Sequence, residues 1–272
     1  MTDGKMTWDG YKSWVSTLIQ SKTSFLCRGQ SNEYWKLQTT FHREAIHKKL
    51  SLLDYLDVII PDIHYHLCAV HDEIINLRVQ EEFGAFLALI QHHGFPTPLL
   101  DWTLSPYIAA YFAFKGVNDV QPQSDNVKIY LFDHLQWLKS FEQLYDLRDT
   151  SKGFVSILKP YAKHNPRIIA QQGCFTLTNI EEMEQYILER AIQNQTNFLY
   201  TALLSVKEKP LVLKELNWMG INEMTLFPSI GGICRGLKTM HFSPDTIGPT
   251  LSEQLNLLAK TNLPNEGPSV GW

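Results

Sequence analysis

The sequence predicts an α+β fold, and three observations lead there. Apolar residues recur at helical spacing through most of the first third of the chain. Short apolar runs bounded by turn residues, the pattern of strands, fall mostly in the later part. The chain of 272 residues is 44% hydrophobic and 19% charged, enough apolar material for a core that needs no disulfide or metal staples. Helices gathered early and strands gathered late describe the α+β class and not an alternating α/β one.

The elements follow in order. In Thr7–Gln20 the residues Trp8, Tyr11, Trp14, Val15, Leu18 and Ile19 share one helical face. Ser24–Arg28 reads as a strand entering a turn at Gly29. Phe41 to about Ile90 reads as helical with a break at Pro61, and Ile63, Leu67, Val70, Ile74 and Leu77 form its buried face. Gly94–Asp101 cannot be a regular helix, because Pro96 and Pro98 hold the residues before them out of the helical region. Ser105 and Pro106 then mark a helix start, a cap followed by a residue that needs no N–H donor.

Val127–Phe132, Arg167–Ala170, Cys174–Thr178 and Phe198–Val206 read as strands, the middle two around a Gln171-Gln172-Gly173 bend. Asn179 and Glu182 resemble a capping box for a helix reaching about Ile192. Leu211–Met219 is a short helix stopped by Gly220, and Ile221–Phe227 is a further short apolar element. The tail after Pro244 has the Pro, Asn, Gly and Ser content of a loose segment.

Charge and composition exclude several classes. Lys and Arg number 24 against 28 Asp and Glu, so the net charge is −4, and a protein that simply coats nucleic acid or an anionic membrane needs the opposite sign. A local basic groove stays compatible with that balance. No run approaches the ~18 apolar residues that span a bilayer, and the N-terminus lacks the basic start and apolar run of a secretory signal. The four cysteines are scattered without CxxC spacing, which reads as reduced thiols and a cytoplasmic setting. His64, Cys68 and His71 could share a helix face, but no fourth ligand completes a zinc set. Walker, GxSxG, HExxH and GxGxxG signatures are absent.

Four clusters are harder to explain by packing. Arg28-Gly29-Gln30 offers a planar fork of donors for phosphate or carboxylate beside a residue that permits close approach, although a turn glycine with a surface arginine would look the same. Gln91-His92-His93-Gly94, continuing through Asp101, Thr103, Ser105 and Tyr107 toward Tyr111, places polar groups ahead of a helix N-terminus that favours anions. Gln171-Gln172-Gly173 sets amides at a bend that could bind ribose hydroxyls or a carboxamide, or is a plain bulge. Glu223 is a lone acid in an apolar run, either turned to solvent or held in a site.

At these clusters the chain resembles the FRG-domain family. The resemblance rests on FLCRGQ at 25–30, QHHGFPTPLLDWTLSPYIAAYFAF at 91–114, RIIAQQGCFTL at 167–177 and GINEMTLFPSIGGICRGL at 220–237. It covers roughly residues 20–240 and departs from the family at His93, Pro98 and Ser229, where an aromatic, an arginine and an acid are usual. More distantly, the order of motifs is similar to the arginine-serine-glutamate class of the ADP-ribosyltransferase superfamily, whose core is a split β-sheet. With the elements read above, the chain divides into an N-terminal helix over 1–20, a domain over 21–240 with a helical insertion at 41–90, and a loose tail over 241–272.

The more distant resemblance implies that NAD is the substrate and that ADP-ribose passes to a macromolecule, nucleic acid or protein. The implied setting is a toxin or phage-defence effector, with a neutralising antitoxin as a possible partner. Arg28 would pair with phosphate or ribose, the Gly29 backbone with the carboxamide, and Gln30 and Asp101 would complete the pocket. Thr103 and Ser105 would order the loop, and Tyr107 or Tyr111 would stack on nicotinamide. Glu223 or Gln172 would hold the ribose 2′-hydroxyl, and His93 would position phosphate or accept a proton. The family's Glu-x-Glu or Gln-x-Glu motif is absent as such, which leaves a non-catalytic nucleotide-binding sensor as the alternative.

Overall fold

The computed structural model describes residues 4–21, 24–70, 74–118, 120–161 and 165–242. The chain divides into two compact units, Met1–Ile221 and Asn222–Trp272, a boundary inside the 21–240 span of the resemblance. Most of the segment expected to be a loose tail, from 243 onward, and His71 lie outside the described residues.

The first unit is mixed α and β, as its sequence predicts, around one seven-stranded mixed sheet. Its strands are β1 (Gly4–Met6), β2 (Leu26–Gln30), β3 (Leu99–Thr103), β4 (Asn126–Phe132), β5 (Val155–Leu158), β6 (Gly173–Thr178) and β7 (Leu199–Ser205), in the order β1-β7-β4-β2-β3-β6-β5. Among the described residues only β1 and β7 pair in parallel. The ladders are uneven. β2 and β4 pair over five positions and β3 and β6 over five, whereas β2 meets β3 at the single pair Cys27↔Thr103. The sheet is therefore weakly stitched at its middle.

The helices of this unit are α1 (Trp8–Ser21), α2 (Thr40–Lys48), α3 (Leu52–Asp54), α4 (Ile60–Leu67), α5 (Gln80–His92), α6 (Pro106–Lys115), α7 (His134–Ser140), α8 (Pro166–Ala170), α9 (Met183–Gln193) and α10 (Lys209–Trp218). Strand alternation sends neighbouring residues to opposite faces. Leu99, Phe175 and Leu177 join one core with Phe86, Leu87 and Ile90 of α5. Leu100, Trp102 and Cys174 join another with Leu26, Phe132 and Trp137.

Several local expectations are corrected. Pro61 does not break the helix: a π-helical turn at Tyr55–Ile59 lies between α3 and α4, and Pro61 then sits in the first turn of α4, where its missing N–H is harmless. The face through Val70 and Ile74 is not buried, since α4 ends at Leu67 and those two residues are exposed. Arg167–Ala170 is the helix α8, started by Pro166, and not a strand. Asn179 does not cap α9. Its side chain instead accepts from Phe154 N and donates to the carbonyls of Asp149 and Lys152.

The second unit contains α11 (Glu223–Leu226) and α12 (Ile230–Phe242). Asn222 caps α11 by accepting from the N–H groups of Met224 and Thr225. Gly232 and Gly236 let α12 lie against Phe227 and Met224, where any side chain would overlap.

Candidate functional site

The site grows from the place where β2 and β3 part. Beyond the Cys27↔Thr103 pair, the Arg28 side chain reaches across the opening and donates from Nη1 to the Asp101 carbonyl at 2.8 Å. The Asp101 carboxylate is 4.0 Å from the same nitrogen and is itself tied down, accepting from Gln91 Nε2 at 2.7 Å. Arg28 Nε is buried without a partner, and so is Gln30 Oε1, two residues along on the same face of β2. Burial pulls the Arg28 pKa down; Asp101 opposes that and the nearby Arg43 adds to it. A guanidinium stays charged under such pressure.

The end of β3 is pinned to the Gln171–Gln172 bend. The Thr103 hydroxyl donates to the Gln171 carbonyl at 2.7 Å, and Leu104 N–H donates to the Gln172 carbonyl at 3.0 Å. Thr103 also accepts from Ser105 N, and Ser105 in turn caps α6 by accepting from Ile108 N at 3.3 Å. Gln172 has φ 48°, a left-handed conformation that costs a non-glycine residue roughly 1 kcal/mol or more. Its side chain is exposed, at the entry to β6. β3 thus meets Arg28 at the Asp101 carbonyl and the Gln171–Gln172 bend at Thr103 and Leu104.

Other expected residues have different contacts. Gly29 faces α6, and a Cβ there would overlap the Ala109 carbonyl and sit 2.7 Å from Ala113 N, so packing alone requires glycine. Tyr107 and Tyr111 ride on α6, which covers the Gly29 face of β2, opposite the Arg28 side chain by strand alternation. The Tyr107 ring packs edge-on against Trp8 at 6.1 Å, and Tyr111 is buried. His93 is exposed at the C-terminal end of α5, its ring 5.0 Å from that of His92. Glu223 belongs to the second unit, where its buried carboxylate accepts from Arg235 Nε at 2.7 Å.

Two further features matter: Gln91, which the sequence places in a polar cluster without a role of its own, and a pair of rings it does not point to. Gln91 clamps Asp101 with its amide nitrogen while its oxygen accepts from the Thr97 hydroxyl. Tyr34 and Trp35 are exposed rings in the loop after β2. The Trp35 carbonyl accepts from Tyr130, which lies opposite Arg28 in the β2–β4 ladder, so the loop belongs to the Arg28 face. Nothing in their spacing gives that away, since it depends on which strands pair. Among the described residues no group of His, Cys, Asp and Glu is disposed to hold a metal ion, and no helix is long and apolar enough to cross a membrane.

No curated protein and no solved structure matches the chain. One family model does, that of the FRG domain, over residues 23–121, a stretch that runs from β2 through α6 and so contains Arg28, Gln91, Asp101, Thr103 and Ser105. This part of the chain is similar to FRG domains.

Proposed function

We propose that the protein is an NAD-consuming transferase of ADP-ribosyltransferase type. One observation carries the reading. The arginine of β2 donates to the Asp101 carbonyl of β3, and Thr103 at the end of that strand, just ahead of α6, donates to the Gln171 carbonyl beside Gln172 at the entry to β6. That is the order of parts the distant resemblance calls for. Arg28 supplies a cation for a pyrophosphate or ribose, and Gln172 an exposed amide for a ribose hydroxyl. Tyr34 and Trp35, on the Arg28 face, suit nicotinamide stacking better than Tyr107 or Tyr111.

In the reaction, the bond between ribose C1′ and the nicotinamide nitrogen breaks, and its electron pair leaves on nicotinamide. An oxygen or nitrogen of the acceptor then bonds to C1′ and gives up its proton to water. The sugar passes through an oxocarbenium-like state, which an acid usually steadies. Gln172 is uncharged, and that favours a second reading, a nucleotide sensor that binds NAD without cleaving it.

Release of nicotinamide from NAD, with transfer of label to a cell lysate, tests both. Wild type is expected to release nicotinamide. Arg28→Ala is expected to lose at least about 100-fold, and Gln172→Ala roughly tenfold or more, as for other groups that act on a transition state. Saturable binding of NAD without release selects the sensor. Neither binding nor release rejects both readings.

A further inference from the structure

We infer that a single nucleic-acid strand binds across α8 and the end of α5, beside Gln172, and is the acceptor. The identity of the acceptor rests on the transferase reading; the strand-binding surface does not.

The argument begins with charge. From 150 to 180 the sequence contains no acid, apart from Asp149 just ahead of it, and from 83 to 100 it again contains none, in a chain whose net charge is −4. The fold brings these two acid-free stretches together. Leu99 and Leu100 pair with Leu177 and Thr176, and Gly84 packs on Leu158; the His92 ring, at the end of α5, meets the Asn165 side chain just ahead of α8, and its pKa is lowered first by burial and then by the charges of Arg167 and His93. His93 and Arg167 are basic groups, with the His93 ring 5.0 Å from that of His92.

Lys159 follows β5 directly. Leu158 pairs with Phe175, which brings Lys159 beside Cys174 at the start of β6, two residues past Gln172. Arg167 lies one helical turn before the bend, its carbonyl accepting from Gln171 N at 2.8 Å. Basic groups therefore flank Gln172 on both of its neighbouring elements.

A second observation is independent of charge. Asn165 is 5% exposed, yet its Oδ1 has no well-aligned hydrogen-bond partner even beside the His92 ring, an acceptor held ready for a donor. A nucleobase amino group is such a donor. Tyr161, between Lys159 and Asn165, is 68% exposed and offers a ring on which a base can stack. Phosphate-binding cations, an open ring and a buried amide oxygen in need of a donor are the parts a single strand uses. A protein acceptor has no need of all three.

The test measures binding of a labelled single-stranded oligonucleotide, DNA and RNA in turn, to the full chain over a range of salt. Wild type is expected to bind, with affinity that falls as salt rises. The double variant Lys159→Glu/Arg167→Glu is expected to weaken binding roughly tenfold or more and to flatten the log–log salt slope by about one for each phosphate no longer neutralised. Tyr161→Ala, an exposed position where folding is not at stake, is expected to weaken binding about tenfold by removing the stacking ring.

Lys48→Glu/Lys49→Glu makes the same charge change on the end of α2 and is expected to change affinity less than about twofold. Equal losses from both charge variants, or none from Lys159/Arg167 and Tyr161, would overturn the proposal. Nicotinamide release is read separately. Wild type that releases nicotinamide but binds no strand, and labels only protein, sinks this inference and leaves the transferase reading standing. Strand binding without nicotinamide release sinks that reading and leaves the surface.

Discussion

At the scale of single residues, Arg28 and Gly29 are neighbours with opposite duties. Arg28 turns to one face of the sheet and spans the opening between β2 and β3; Gly29 turns to the other and admits α6. The Arg28-Gly29 pair reads from sequence as one ligand-binding unit, yet half of it answers to packing. Gly29→Ala is expected to destabilise the fold by about 1–3 kcal/mol or more, because backbone and not a flexible side chain stands in the way. A denaturant midpoint close to that of wild type would contradict it. Asp101 shows the complementary case, a site residue whose carbonyl and carboxylate are both engaged by protein partners, Arg28 and Gln91.

At the scale of elements, the segment from Leu99 to Lys115 does most to position the site. β3 ends at Thr103, the Ser105 cap begins α6, and the hydroxyl of Thr103 fastens both to the Gln171 carbonyl. The start of α6 was readable in advance, because a Ser followed by Pro satisfies a helix terminus by purely local bonding. Ser105→Ala is expected to lower stability by about 1 kcal/mol, while Ser105→Asp keeps most of it, since either oxygen can accept from Ile108 N–H. Thermal unfolding of the two variants against wild type checks this. α8 was misread for an equally physical reason. Five residues are too few to display a helical period, and β-branched Ile168 and Ile169 favour a strand on local propensity.

At the scale of the first unit, the two cores on opposite faces of the sheet carry a titratable burden. His42 is 8% exposed among apolar neighbours, its Nδ1 2.7 Å from the Thr39 hydroxyl, and burial lowers its pKa from 6.5 to about 4. The folded state therefore keeps it neutral where the unfolded state takes up a proton. Its contribution is fully present above pH 6.5 and is lost progressively as pH falls toward 4, at up to ~1.4 kcal/mol per pH unit. His92 and His134, also lowered by burial, act in the same direction. Denaturant unfolding across this window is expected to show a shallower pH slope for His42→Asn than for wild type. Identical slopes would show that His42 carries none of it.

The class, most helices and strands, the α6 cap and the positions of Arg28 and Thr103 follow from local rules: periodicity, proline geometry and capping, each acting within a few residues. Strand pairing is a long-range matter. It decided that β2 and β3 share a single pair, that Tyr107 and Tyr111 fall on the face opposite Arg28, and that Gln91 reaches Asp101. It also brought two acid-free stretches, distant in sequence, together at His92 and Asn165. Sequence carries the chemistry of each group; only the folded sheet sets which groups share a side, because one residue of register reverses every side chain on a strand.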